Sequence, residues 1–455
     1  MIVLKFGGTS VGSAQRIRSV ARLVAKIPGR KIVVLSAMSG TTDALVQLSA
    51  LLAEGKFQEA AEAVETLEKR YNTVIKELFD DEDLIFQARL ALRPQFDELR
   101  AQTHNEAFTK NDEKRILSKG EIISIQLMLL TLRHYEQVFA THLNALSFMR
   151  INHDGEPEPD YIASHLQPLL ASNSGDDTLF LAEGYICVNA FGEIDNLRRG
   201  GSDYSATLIG EAAQADEIQI WTDIDGLHNN DPRIVNVTSP VRKLHFSEAA
   251  ELAHFGAKIL HPACIEPARR AGIPIRLLYT LDPEAQGTTI SNDTNRDIIK
   301  AVSAKDGISI ISVSSKPTNM GHPALSNFLV YVADMLRKHG IKADFMASMG
   351  ETLLLAVEHT PEIEAFAAEV GEEANVMLSH NMVIIAIVGD MNWERVSFEA
   401  RILEALNDVP IRMISYGTSN CSLIIAVSAE DKKRAMIALS DHLFSQVNLQ
   451  SPEIY

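Results

Sequence analysis

Four short segments carry the residues that could do chemistry. The first is Lys5-Phe6-Gly7-Gly8-Thr9-Ser10, which follows an apolar run and precedes residues of helical periodicity. Two glycines let backbone come close to a ligand, and a helix start offers unpaired N–H groups to an anion. Lys5 adds a compact positive charge beside that cradle, as a transferring phosphoryl group requires. The segment is neither a Walker A loop nor a GxGxxG fingerprint. The second is Arg198-Arg199-Gly200-Gly201-Ser202-Asp203, again opening a helical stretch, with Ser202 or Asp203 placed to cap it. Arginine fits a carboxylate bidentately, so this segment reads as an anion site. The third is Trp221-Thr222-Asp223-Ile224-Asp225-Gly226, followed by Asp231-Pro232-Arg233. It comes after a buried strand, where ligands bind in parallel sheets. Asp223 also fits an Asx-turn. The fourth, Phe255-Gly256-Ala257-Lys258-Ile259-Leu260-His261-Pro262, offers Lys258 to a nucleotide phosphate. His261 before a proline reads as a hydrogen-bonded structural histidine. Together the four suggest phosphoryl transfer without naming the acceptor.

These segments need elements to hold them. Ile2 to Phe6 reads as a buried strand, and Ile17, Val20, Ala21 and Val24 fall at helical spacing. Ile32 to Leu35 is a second apolar strand. That alternation predicts a mostly parallel sheet with crossover helices, an α/β class. From about 43 to 136 the pattern is helical, and residues 51–113 carry 15 acidic against 8 basic side chains. The region is expected to be an acidic, solvated helical insertion. Further strands are expected at Leu179–Leu181, Ile186–Val188, Glu217–Trp221 and Ile273–Leu278, with the domain closing near 295.

Beyond 295 lies an internal repeat at an offset of 70 residues. Ile341-Lys342-Ala343-Asp344-Phe345-Met346 aligns with Ile411-Arg412-Met413-Ile414-Ser415-Tyr416. Leu353 to Val357 aligns with Leu423 to Val427. Each unit reads strand, helix, strand, turn, strand, and Ile308 to Val313 pairs approximately with Met382 to Val388. The expected boundaries are 1–295, 296–381 and 382–455.

Composition bounds the function. The 455 residues hold 42 Lys and Arg against 60 Asp and Glu, a net charge of −18. That argues against nucleic acid or a basic membrane surface as partner. Cys187, Cys264 and Cys421 are too widely spaced for a zinc site or disulfide framework and are expected to be buried thiols. No metal-ligating set is expected. No signal peptide or membrane span is read, so the cytoplasm is the expected compartment.

The four segments in this order resemble the amino acid kinase family, and within it the aspartate kinases. Val34-Leu35-Ser36-Ala37 and Ser118-Lys119-Gly120-Glu121 match further blocks of that family. The 70-residue repeat is similar to the tandem ACT units that follow such kinase domains. The resemblance therefore implies an amino acid kinase fold followed by two ferredoxin-like βαββ ACT units. The length fits the monofunctional form. The implied reaction is ATP-dependent phosphorylation of the aspartate β-carboxylate to 4-phospho-aspartate, the first step towards lysine, threonine, methionine and diaminopimelate.

The resemblance also implies roles. Lys5, Phe6, Gly7, Gly8, Thr222, Asp223, Arg233 and Lys258 would hold ATP, and His228 stands where tyrosine is usual. Ser36 and Thr42 would line the aspartate pocket. Glu121 would take the α-ammonium and Arg199 the α-carboxylate. Ser202 and Asp203 would support the site, with Asp203 orienting Lys5 and Lys258. Mg²⁺ would accompany the nucleotide. The ACT pair implies an amino-acid effector, lysine being favoured, at a homodimer or dimer-of-dimers interface. Met320, Phe328, Leu329, Asp344 and Ser348 are its candidate contacts. The sequence departs from the pattern at Asn327, where glycine is common, and at Ser348-Met349-Gly350-Glu351. The alternatives are a kinase for glutamate or N-acetylglutamate, and a catalytically silent amino-acid sensor.

Overall fold

The computed structural model describes residues 1–173, 175–197, 200–257, 260–293, 298–317, 324–391, 398–417 and 419–444. The chain divides into two compact units. One comprises Met1–Leu227, Pro240–Ala250 and Ile259–Thr294; the other comprises His228–Ser239, Glu251–Lys258 and Asn295–Tyr455.

The first unit begins with β1 (Ile2–Phe6), α1 (Ala14–Lys26), β2 (Lys31–Leu35) and α2 (Thr41–Ala53). Ser13 caps α1 by accepting from the Arg16 N–H, and Ile17, Val20, Ala21 and Val24 form its buried stripe. All five residues of β2 are buried, as expected of a strand covered on both faces. The acidic region folds as α3 (Phe57–Leu78), α4 (Glu82–Gln102), α5 (Lys110–Leu117) and α6 (Lys119–Thr131). Its buried faces, including Leu67, Tyr71, Leu92 and Phe96, join the core under β1 and β2. The unit continues with β3 (Ala140–Leu143), α7 (Pro159–Ala171), β4 (Leu179–Glu183), β5 (Ile186–Val188), β6 (Ile194–Asn196), α8 (Gly201–Ala213) and β7 (Glu217–Thr222). Then follow β8 (Lys243–His245), α9 (Phe246–His254), α10 (Pro262–Ala271), β9 (Ile275–Tyr279) and β10 (Thr288–Ser291). Eight strands form one sheet in the order β3-β4-β2-β1-β7-β9-β10-β8. All neighbours are parallel except β9 and β10.

The second unit contains β11 (Ile299–Ser315), α11 (Leu325–Lys338), β12 (Ala343–Met349), β13 (Thr352–Glu358), α12 (Glu362–Glu373), β14 (Ala374–Gly389), α13 (Phe398–Ala405), β15 (Met413–Ser415), β16 (Ser422–Ser428) and α14 (Lys432–Phe444). The 70-residue offset recurs in the starts of β12 and β15, β13 and β16, and α12 and α14. Each repeat therefore ends in a helix beyond the expected βαββ pattern. The repeats share one antiparallel sheet, β12-β13-β11-β14-β16-β15. Its centre is the long pairing of β11 with β14. Residues 308–314 of β11 pair with β13, and residues 382–388 of β14 pair with β16. The expected boundary between 381 and 382 therefore falls inside β14, at Asn381, whose φ is +55°. Likewise 228–239 and 251–258, expected in the first domain, pack with the second unit. Asn229 explains part of this: its carbonyl accepts from the Val302 N–H of β11 at 2.9 Å.

Among the described residues no helix is long and apolar enough to cross a membrane. Cys187 and Cys264 are buried, but Cys421 is only partly so. It lies beside Ser419, whose hydroxyl accepts from the Cys421 N–H at 3.2 Å, because a turn rather than a core surrounds it.

Candidate active site

Parallel register brings the carboxyl ends of four strands to one level. Phe6 is opposite Leu35 and Trp221, and Leu35 is opposite Glu183. The loops after β1, β2, β4 and β7 therefore open side by side. The Ser36 N–H donates to the Phe6 carbonyl at 3.2 Å, and the Ser39 N–H donates to the Gly8 carbonyl at 3.1 Å. A Cβ on Gly8 would stand 2.7 Å from the Ala37 carbonyl oxygen, so only glycine permits this approach. The Phe6 ring is fully buried and stacks on Trp221 with centroids 5.8 Å apart, leaving only its backbone to meet a nucleotide.

Lys5 and Asp203 meet from different elements. The Lys5 Nζ lies 2.7 Å from Asp203 Oδ1, and both side chains are largely buried. Asp203 is in the first turn of α8, whose N-cap is Gly200 with φ +76° and no side-chain cap. The helix thus starts ahead of Ser202 and Asp203, which frees both side chains from the expected capping role. A Cβ on Gly201 would collide with the Tyr185 ring. The Tyr185 N–H donates to Ser205 Oγ at 2.9 Å, and Ser205 Oγ donates to the Gly201 carbonyl at 2.9 Å. Arg198 and Arg199 lie outside the described residues.

Glu121 is buried in the first turn of α6. Its Oε1 accepts from the Ala37 N–H at 3.1 Å, and its Oε2 has no hydrogen-bond partner among the described residues. Burial pushes its carboxyl up to about 8, the Ala37 hydrogen bond offsetting only part of that. Tyr185 is raised to about 12 by burial and then by the negative Glu121, which puts the two in one electrostatic neighbourhood. Ser36 is half-buried and Thr42 exposed at the start of α2. The neighbouring Thr41 is buried, with its hydroxyl 2.8 Å from the Tyr71 hydroxyl.

The residues expected to hold the nucleotide are more open. Thr222 Oγ1 donates to Asp223 Oδ1 at 3.2 Å. Arg233 is 67% exposed and clamps Asp231 with two bonds, of 2.9 and 2.6 Å. His228 Nδ1 is 2.7 Å from Thr238 Oγ1. His228 and Arg233 belong to the second unit, whereas Thr222 and Asp223 belong to the first. Lys258 lies outside the described residues. His261 caps α10, its Nδ1 accepting from the Ala263 N–H.

Of the effector candidates, Phe328 is a core residue of the first repeat with Leu329 packed beside it. Ser348 is exposed and Met320 lies outside the described residues. Asp344 is only 10% exposed and already bound by Lys305 and His254.

Sequence reasoning missed Gly184 and Tyr185. They follow β4 directly, so a glycine at a strand's carboxyl end was the available signal. Cys264 is buried as expected, but no local motif marks its packing under Gly200.

Comparison with known proteins agrees with this architecture. Residues 1–279 match the amino acid kinase family, and residues 385–443 match an ACT domain. Lysine-sensitive aspartokinase 3 of Escherichia coli (strain K12) is 31% identical over 466 residues, covering 98% of this chain and 99% of that protein. The crystal structure of E. coli aspartokinase III with aspartate and ADP (R-state) superposes with a TM-score of 0.81 at 29% identity, covering 98% of this chain and 100% of that one. The same enzyme with lysine and aspartate (T-state) gives 0.75 at 29% identity, covering 98% and 99%.

Proposed function

The chain belongs to the amino acid kinase family, as an aspartokinase, and we propose that it transfers the γ-phosphoryl group of ATP to the β-carboxylate of L-aspartate. Aspartate phosphorylation in amino-acid biosynthesis is the activity of this group. The acceptor oxygen is already ionised at neutral pH, its reference pKa being about 3.9. It attacks the γ-phosphorus, the bond to the bridging oxygen breaks, and ADP leaves. No general base is needed; the task is to bring two anions together.

The observation that carries this reading is Glu121, a buried carboxylate with one oxygen unpartnered among the described residues, beside the Gly8–Ala37 approach. An α-ammonium supplies the missing donors and restores ionisation to a group that burial otherwise disfavours. Arg199 takes the α-carboxylate, and Ser36, Thr42 and Ser202 line the remainder. Lys5, held by Asp203, faces the phosphates together with the N–H of Gly8. Thr222, Asp223, His228, Arg233 and Lys258 hold the nucleotide. Mg²⁺ would arrive on the ATP phosphates and neutralise their charge.

Incubation with ATP, Mg²⁺, hydroxylamine and either aspartate or glutamate tests the proposal. Hydroxamate is expected with aspartate alone; hydroxamate from glutamate, or from neither, would overturn it. The likeness to a lysine-sensitive relative supports feedback by lysine through the ACT repeats, acting in a homodimer or dimer of dimers. Repeating the assay with lysine, threonine or methionine tests the effector.

A further inference from the structure

Three titratable side chains stand on one face of the first sheet, behind the proposed acceptor pocket. Leu179 and Leu181 of β4 point into the core that α6 joins. Strand alternation aims Glu183, the last residue of β4, the same way, onto the face that carries Glu121. His142 of β3 is the register partner of Leu181 and shares that face. The Leu35 carbonyl, opposite Glu183 on β2, accepts from the Gly184 N–H at 2.9 Å. Two residues further on, Ala37 holds Glu121 Oε1.

The Glu183 side chain is only 2% exposed, yet both its oxygens are engaged. Oε1 meets His142 Nε2, and Oε2 accepts from the Ala145 N–H at 2.9 Å. The His142 side chain, 30% exposed, is the member of the three that reaches solvent. Two carboxylates buried together resist ionising together. Burial is the largest influence against charge on Glu121, and Glu183 adds to it. The hydrogen bond to Glu183 holds His142 above its ordinary range, against the opposing effect of burial. His142 therefore keeps its positive charge to a higher pH than a free imidazole does.

The other charged groups around Glu121 are neutral or already paired. Tyr71 and Tyr185 are pushed up to about 12, chiefly by burial. Lys119, on the same helix, pairs with Glu98 of α4, and Lys114 of α5 pairs with Asp195 of β6. The buried faces of α1 and α2 carry no charge. Lys31 lies at the opposite end of β2, and Arg133, His134 and Glu136 lie beyond the far end of α6. Lys5 of β1 is bound by Asp203.

We propose that His142, acting through Glu183, is a positioning residue for the acceptor: its positive charge offsets that carboxylate, so that Glu121 meets the substrate ammonium ionised. The proposal rests on the kinase reading above, which gives Glu121 the α-ammonium. Its consequence is that aspartate affinity answers to an edge-strand histidine that does not touch the substrate, whereas ATP affinity does not.

The test is the pH profile of kcat/KM for each substrate in wild type, His142→Ala, Glu183→Gln and the double variant. The aspartate profile rises with pH as Glu121 loses its proton, and its inflection belongs to the coupled cluster. His142→Ala leaves Glu183 uncompensated and is expected to move that inflection up by about one pH unit. One unit is a factor of ten in ionised fraction, so at neutral pH the KM for aspartate should rise about tenfold. The KM for ATP stays within twofold. Glu183→Gln removes the opposing charge, keeps an acceptor for the Ala145 N–H, and is expected to move the inflection down. The double variant is expected to follow Glu183→Gln, because no charge then remains to offset. Shifts of the same sign in both single variants, an unmoved inflection, or equal rises in both KM values would overturn the proposal. Should Glu183→Gln fail to fold, as its melting curve shows, His142→Ala on the part-exposed edge strand decides the matter by its inflection. A wild-type chain making no aspartyl hydroxamate would instead sink the kinase reading.

Discussion

The proposed acceptor and nucleotide sides of the candidate site are built differently. Glu121, Gly201, Ser202 and Asp203 stand on helix starts packed against strand ends, and their surroundings are close enough that Tyr185 excludes any side chain at Gly201. Thr222 ends β7 and bonds the following Asp223, while Arg233 stands on a loop and clamps Asp231. His228 and Arg233 pack with the second unit, Thr222 and Asp223 with the first. The acceptor side is therefore preorganised, with its cost already met in a buried, half-satisfied carboxylate. The nucleotide side has contacts to exchange on binding. Selectivity for a small amino acid needs a rigid pocket, whereas a phosphate chain is gripped by charges that can move.

Substitutions can break or sharpen that contrast. The largest effect is expected at Lys5, which we propose serves the phosphates from within the rigid part. Lys5→Met should lower kcat about 1,000-fold, as loss of a preorganised charge does. It also leaves Asp203 largely buried and unpaired, so the melting temperature should fall. Adding Asp203→Asn should recover stability but not turnover; recovery of both would show that Lys5 is only structural.

Next comes Glu121→Gln. Removing one partner of a buried charged pair costs about 2 kcal/mol or more, so the KM for aspartate should rise roughly 30-fold while that for ATP holds. Burial gives this group a second signature. Its folded value of about 8 exceeds the ordinary 4.5, so the folded chain keeps a proton that the unfolded chain releases. Stability should therefore fall as pH rises from about 4.5 to about 8, then level off. Glu121→Gln should flatten that slope in melting curves taken across the range. Aspartate binding, which needs the ionised form, should strengthen as pH approaches 8.

The smallest effect is expected at Arg233. It is exposed and already shared with Asp231, so Arg233→Ala should raise the KM for ATP only two- to fivefold, and less at high salt. A 100-fold loss would mean that the nucleotide side is as rigid as the acceptor side.

Much of this was legible locally. Apolar runs marked β1, β2, β4 and β7, and paired glycines after a strand or before a helix marked Gly7-Gly8 and Gly200-Gly201. These signals arise from short-range steric and hydrogen-bonding rules, which a few neighbouring residues satisfy. The repeat offset likewise foretold matching strands and helices in the second unit. Partners distant in sequence were not legible. Nothing near Tyr185 announces Gly201, and nothing near Asp344 announces Lys305 or His254. The sharing of β14 by both repeats was hidden too, because strand pairing is decided by which edges meet.

The sequence by itself determined the strands, the glycine turns, the charged groups and the repeat, since each depends on side-chain type and spacing along the chain. The tertiary structure alone decided that Lys5 meets Asp203, that Glu121 is buried with one oxygen unpartnered among the described residues, and that residues 228–239 and 251–257 belong with the second unit. Those facts depend on burial and on contacts across tens to hundreds of residues, where desolvation and close packing set the energies.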